Sequence, residues 1–284
     1  MILAARLGEL YQQACEIELL AFKPGNVSIY ADGHDMTVAD FSKSAQVSAE
    51  PLCNPAYSLG EKVFYAVKAT RLAVGCNTNL GIILLCAPMI EAVLRHQPSE
   101  TLRIALQKTL TNTTVADANW VFKAIALAAP GGLGDAEQQD VKNPASVNLQ
   151  EAMQLASTKD RIAYQYASGY KDIFELAVLS YNASFNRFGY QSWAAVCVYA
   201  DLLSQFPDSH IVRKHGDKYS EMVANKMALL HQELSNTDDP DQLKPMLYDL
   251  DKCFKSYGIN PGTTADMTVA TVMAVFLEDL ISKT

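Results

Sequence analysis

The 284-residue chain has no apolar run long enough to cross a bilayer. Its most hydrophobic stretch, LGIILLCAPMI at 80–90, falls short of the ~20 residues a spanning helix needs and is followed by Glu91, so it reads as a buried central helix. The six cysteines (15, 53, 76, 86, 197, 253) include no CxxC and no tight Cys/His spacing, which argues against zinc and against a disulfide framework. Reduced, mostly buried thiols in a cytoplasmic protein are the expectation. Basic runs are also missing. With 31 acidic and 23 basic residues the formal net charge is −8, which disfavours nucleic acid and anionic membranes as partners, although a local basic pocket can still hold a phosphate. The opening MILAARLGELYQQACEIELLAF carries Arg6 and Glu9 inside a helical pattern, unlike a signal peptide.

Sustained period-two alternation is absent, whereas apolar spacing of three and four residues recurs almost everywhere. The pattern predicts helices at 2–21, 37–52, 57–74, 79–95, 99–110, 114–129, 148–157, 159–187, 190–206, 209–235, 241–257 and 264–282. Thr113 and Thr114 precede VADANWVFKAIALA, Asn148 precedes LQEAMQLA and Gly258 follows DKCFKSY, which are residue types that start and stop helices. No Pro/Ser-rich linker, low-complexity tract or fixed-period repeat interrupts the pattern. The expected fold is a single all-α domain over 1–284 with a polar, loop-lined pocket.

Glycine and proline concentrate in four connections: KPGNVSIYADGHDM (23–36), GCNTNLG (75–81), APGGLGDAEQQDVKNP (129–144) and GINPGTTAD (258–266). In the last, Pro261 and Gly262 shape a turn, and Thr263 or Thr264 stands where a cap or an anion contact would be. Asp266 falls in the first turn of the final helix, where favouring the dipole is its plainest role. Asn77, Thr78 and Asn79 precede the apolar helix in the same manner, with Arg71 near enough to meet a phosphate. The third loop joins three glycines to Asp135, Glu137 and Asp140; it lacks the Gly-Lys-Ser/Thr of a Walker loop and the glycine spacing of a dinucleotide-binding turn. A solvated acidic loop and a divalent-cation site both remain open for it. The first loop adds Lys23, Asn26, Ser28, Asp32, His34 and Asp35.

At these residues the chain resembles the triphosphoribosyl-dephospho-CoA synthase family. The resemblance runs through Lys23-Pro24-Gly25-Asn26-Val27-Ser28, Gly33-His34-Asp35-Met36, Phe41 and Ser44. It continues through Asn77-Thr78 with Gly81, Gly131-Gly132 with Glu137, and Asn260-Pro261-Gly262 with Ala265-Asp266. At 77–81 the citrate-lyase branch is expected to carry Asn-Thr-His-Lys-Gly where this chain has Asn79 and Leu80, and GGLG…EQQD is closer to archaeal and methylotroph-type members.

The resemblance implies an all-α transferase that joins ATP to a dephospho-CoA-like acceptor at ribose C1′ and releases adenine. An oxocarbenium-like transition state would be stabilised by carboxylates. It further implies Mg²⁺, with Asp35, Glu137 and Asp140 as metal candidates and Asp35, His34, Glu137 and Asp266 as catalytic candidates. The phosphate-contact candidates are Lys23, Asn26, Ser28, Arg71, Asn77, Thr78, Gly131, Gly132, Thr263 and Thr264. Two alternatives stay open: a related phosphate- or ribosyl-transferring enzyme of methanopterin- or methanofuran-type cofactor synthesis, and a nucleotide-binding helical protein without turnover. A homodimer through a long apolar helix face is the one protein partner envisaged.

Overall fold

Helices form where the three-and-four spacing is sustained, and capping chemistry sets many of their ends. The computed structural model describes residues 2–31, 36–130 and 139–283. The chain runs through α1 (Ile2–Leu20), α2 (Val38–Cys53), α3 (Leu59–Val74), α4 (Leu80–Leu94), α5 (Leu102–Thr111), α6 (Val115–Ala128) and α7 (Leu149–Ala156). It continues with α8 (Arg161–Ser168), α9 (Val178–Phe188), α10 (Gln191–Gln205), α11 (Ser209–His215), α12 (Ser220–Asn236), α13 (Lys244–Ser256) and α14 (Gly262–Ser282). Reciprocal capping boxes open α2 (Thr37/Asp40), α3 (Ser58/Glu61) and α6 (Thr114/Asp117). Asn148 caps α7, and Gly258 lies past the end of α13 at φ +65°. Among the described residues there is no strand, only an isolated bridge between Ser28 and Ala31. All six cysteines are unpaired.

The predicted helices at 159–187 and 209–235 are each broken. Gly169 ends α8 at φ +67°, Tyr170 follows at φ +59°, and the chain re-enters helix through a π-turn at Ile173–Ala177. Gly216, at φ +62°, ends α11, and a 3₁₀ turn (Gly216–Tyr219) leads into α12. Apolar spacing runs across both breaks because the segments on either side feed the same core, so periodicity alone does not reveal them.

The core is built around α4, in which every residue from Leu80 to Val93 is buried, and α14, which packs against α4, α1 and α10. Pro88 lies within α4 and has no N–H for the Leu84 carbonyl. A buried tyrosine supplies what the proline removes: Tyr166 OH donates to Leu84 O at 2.6 Å, while Tyr170 OH donates to the adjacent Leu85 O at 2.9 Å. Across the α3–α4 contact, Lys62 Nζ pairs with Glu91 Oε2 at 3.0 Å and donates to Tyr57 O at 2.6 Å, so this buried charge is matched and hydrogen-bonded. The starts of α4 and α14 lie side by side where Gly81 meets Asp266, and polar loops gather there.

Candidate active site

The first loop is anchored by its own lysine. Lys23 is fully buried; its Nζ donates to Glu18 O (2.6 Å), Val27 O (2.9 Å) and Ala21 O (3.2 Å) and pairs with Glu18 Oε1 at 3.1 Å. An ammonium has three protons. In this arrangement none is left for the phosphate that the sequence pattern suggested, and Lys23 instead closes the end of α1 onto the loop. Gly25, at φ +82°, donates its N–H to Asp251 Oδ1 at 2.8 Å, and a Cβ there would lie 2.9 Å from Ile259 O. Asn26 Nδ2 donates to Asn260 Oδ1 at 2.7 Å, tying the 23–31 loop to the 258–262 loop. Ser28 is buried, its backbone bridged to Ala31. Asp32, His34 and Asp35 lie outside the described residues.

The start of α4 turns its polar side chains inward. Thr78 Oγ1 donates to Ser44 Oγ at 2.5 Å, Asn79 Nδ2 to Ser48 Oγ at 3.2 Å, and Tyr11 OH bonds the same Ser48 hydroxyl at 3.0 Å. Asn77 Oδ1 accepts from Leu80 N at 3.2 Å, as a turn residue does. Arg71 is exposed on the last turn of α3. A narrow crevice between α1, α2 and α4 is lined by Cys15, Glu18, Leu19, Phe41, Ala45, Asn79 and Ile82.

Asp266 faces this region from α14. Its carboxylate lies directly against Gly81: a Cβ on that glycine would stand 2.0 Å from Oδ2 and 2.5 Å from Cγ. Among the described residues Asp266 has no hydrogen-bond or ion-pair partner, and part of its surface stays accessible. Burial pushes its pKa well above the usual carboxylate range, the charges of Glu18, Asp208 and Asp160 add to that, and Arg213 opposes it.

Asp208 holds this end together. Its Oδ1 accepts from His210 N (2.9 Å) and Ile211 N (3.1 Å) at the start of α11, while its Oδ2 accepts from Thr264 N (2.7 Å) and Thr264 Oγ1 (2.8 Å) in α14. One carboxylate therefore caps two helices. It uses the Thr264 groups that the sequence offered to a phosphate; Thr263 is buried beside them. Arg213 Nη1 donates to Asp160 Oδ2 at 2.6 Å, whereas its Nε is buried without a partner.

The structure thus brings the 23–31, 75–81 and 258–266 loops to one end of the bundle. The described part of the third loop docks on α6, where Asn119 Oδ1 accepts from Ala145 N at 3.0 Å. There Asp140 Oδ1 accepts from Lys142 N at 2.8 Å. Gly131, Gly132, Asp135 and Glu137 lie outside the described residues. Among the described residues no three His, Cys, Asp or Glu side chains are grouped to hold a metal ion.

Glu18, Asp208, His210 and Arg213 were not singled out by sequence. Pro207-Asp208-Ser209 carries only the signal of an N-cap, and nothing local shows that the same carboxylate reaches α14.

The match to known families is broad. The model of ATP:dephospho-CoA triphosphoribosyl transferase (CitG) aligns with residues 4–284. The fold recurs in the crystal structure of a candidate triphosphoribosyl-dephospho-CoA synthase from Archaeoglobus fulgidus, with a TM-score of 0.63 and 24% identity over 83% of this chain and 97% of that one. No curated protein matches the chain. The class is therefore an all-helical transferase. Within it, the chain belongs to the ATP:dephospho-CoA triphosphoribosyl transferase family. Among the described residues no helix is long and apolar enough to cross a membrane.

Proposed function

We propose that this chain transfers the triphosphoribosyl group of ATP to a hydroxyl of 3′-dephospho-CoA and releases adenine. The bond from ribose C1′ to the base nitrogen breaks, the acceptor oxygen bonds to C1′, and the hydroxyl proton is matched by one delivered to adenine. Family membership supports the overall reaction. The observation that carries the site assignment is the unpaired Asp266 carboxyl packed on Gly81 between the starts of α4 and α14.

Adenine leaves far more readily with a proton than as an anion, and a carboxyl that keeps its proton to unusually high pH suits that task. Asp266 is accordingly the general acid at the departing base, and as a carboxylate afterwards it faces the positive charge on C1′. The phosphates are held by N–H groups at the starts of α4 and α14 other than those of Leu80, Gly262 and Thr264, which already have acceptors of their own. Magnesium bound to ATP needs only one or two protein carboxylates. Asp140 offers oxygen chemistry of that kind, with Asp35 and Glu137 as its partners from the sequence pattern, and the ion would offset phosphate charge.

One observation favours a different acceptor. Asn79 lines the crevice, is 4% exposed and is engaged with Ser48, so position 79 brings no charge to the crevice wall. A related transfer in one-carbon cofactor synthesis is the second reading. Incubating the protein with ATP, Mg²⁺ and dephospho-CoA, and following free adenine, tests the first. Adenine release that depends on another hydroxyl compound and not on dephospho-CoA selects the second.

A further inference from the structure

We propose that His210 is the proton acceptor for the attacking hydroxyl, working from the same face of α14 as Asp266. This rests on the transfer reaction proposed above. The His210 ring packs on the first residue of α14 so closely that a Cβ at Gly262 would lie 2.8 Å from Nδ1. Gly262 and Asp266 are four residues apart in one helix, hence on one face and about 6 Å apart along its axis. A substrate lying along that face meets the imidazole at one end and the carboxyl at the other.

The other described histidines are engaged. His96 Nε2 bonds Glu100 O at 2.8 Å, His215 Nε2 bonds Gly258 O at 3.1 Å, and His231 pairs with Asp201. Neither ring nitrogen of His210 has a partner among the described residues, and the ring is only partly exposed. Its backbone is fixed by Asp208, the carboxylate that also holds Thr264, so the ring's position relative to Asp266 is set by one shared anchor.

The charged groups that act on the ring are Asp208, Arg213, Lys214 and His215, on its own helix and the approach to it. Burial lowers the His210 pKa; Asp208 opposes this, and Arg213, Lys214 and His215 reinforce it, so the neutral ring is favoured. In the step itself, the acceptor O–H proton passes to His210 and the oxygen attacks C1′. The C1′–N electron pair leaves with the base, which takes the Asp266 proton. Proton exchange with solvent then restores both groups, so ATP and the alcohol give the triphosphoribosyl product and adenine.

The test compares wild type, His210→Gln and Gly262→Ala for adenine release across pH, with ATP binding followed by calorimetry. His210→Gln is expected to lower kcat by about 10²–10⁴-fold and to abolish the acid limb of the pH profile, with ATP affinity retained. Gly262→Ala keeps the imidazole but displaces it, and should lower kcat while binding persists. Wild-type kcat and an intact acid limb in His210→Gln would overturn the proposal. If that variant does not fold, wild-type kcat in Gly262→Ala overturns it instead. Wild-type protein that releases no adenine would defeat the transfer reading itself, and the proton acceptor with it.

Discussion

The carboxylate of Asp266 and the α-carbon of Gly81 are packed so tightly that a methyl group at 81 would stand 2.0 Å from Oδ2. The glycine sits in the first turn of the buried α4, and its missing side chain leaves the space in which Asp266 stands. In Gly81→Ala the flexible carboxylate must move. Alanine is also the better helix former by about 1 kcal/mol. The variant should melt near the wild-type temperature while adenine release falls at least tenfold. Activity equal to wild type would show that the Asp266 position is not needed.

Asp266→Asn removes the acid but keeps the shape, and should lower kcat by about 10²–10⁴-fold. Its stability effect depends on pH. A carboxyl whose folded pKa is raised contributes stability that is complete below its unfolded pKa of about 3.9 and is lost as pH rises through the folded value. Asparagine never ionises. The variant should therefore be more stable than wild type in urea at pH 8, and the difference should vanish towards pH 4. A pH-independent difference would mean that Asp266 is not held in its protonated form.

Lys23→Met tests the buttress in the first loop. The substitution strands the buried Glu18 carboxylate and three backbone carbonyls, which should cost about 3–5 kcal/mol in urea unfolding. A loss below about 1 kcal/mol, the range of exposed pairs, would contradict its buried role.

Chelation addresses magnesium. Adenine release should stop in EDTA and return with Mg²⁺ but not with Na⁺, while the helical circular dichroism signal stays unchanged. Turnover that persists in EDTA would remove the metal from the mechanism.

The helical architecture was legible because amphipathic spacing and caps such as Thr114 and Asn148 are local signals. The breaks at Gly169 and Gly216 were not, since single glycines sit within patterns that continue on both sides. Of the site, the Gly81–Asp266 neighbourhood could be approached from loop composition, and both ends of that contact were among the residues noted. Lys23 was expected at a phosphate and is placed inside its own loop instead, because the choice between solvent and a ring of carbonyls is made by tertiary packing. Asp208 and His210 were not singled out by sequence. What gives them interest is contact with α14 more than fifty residues later, and no local pattern encodes it.

The central claim is tested most directly by mass spectrometry of the products formed from ATP, Mg²⁺ and dephospho-CoA. Free adenine is expected in equal amount to a dephospho-CoA adduct that retains all three phosphates. Release of ADP, AMP or pyrophosphate in place of adenine would contradict it.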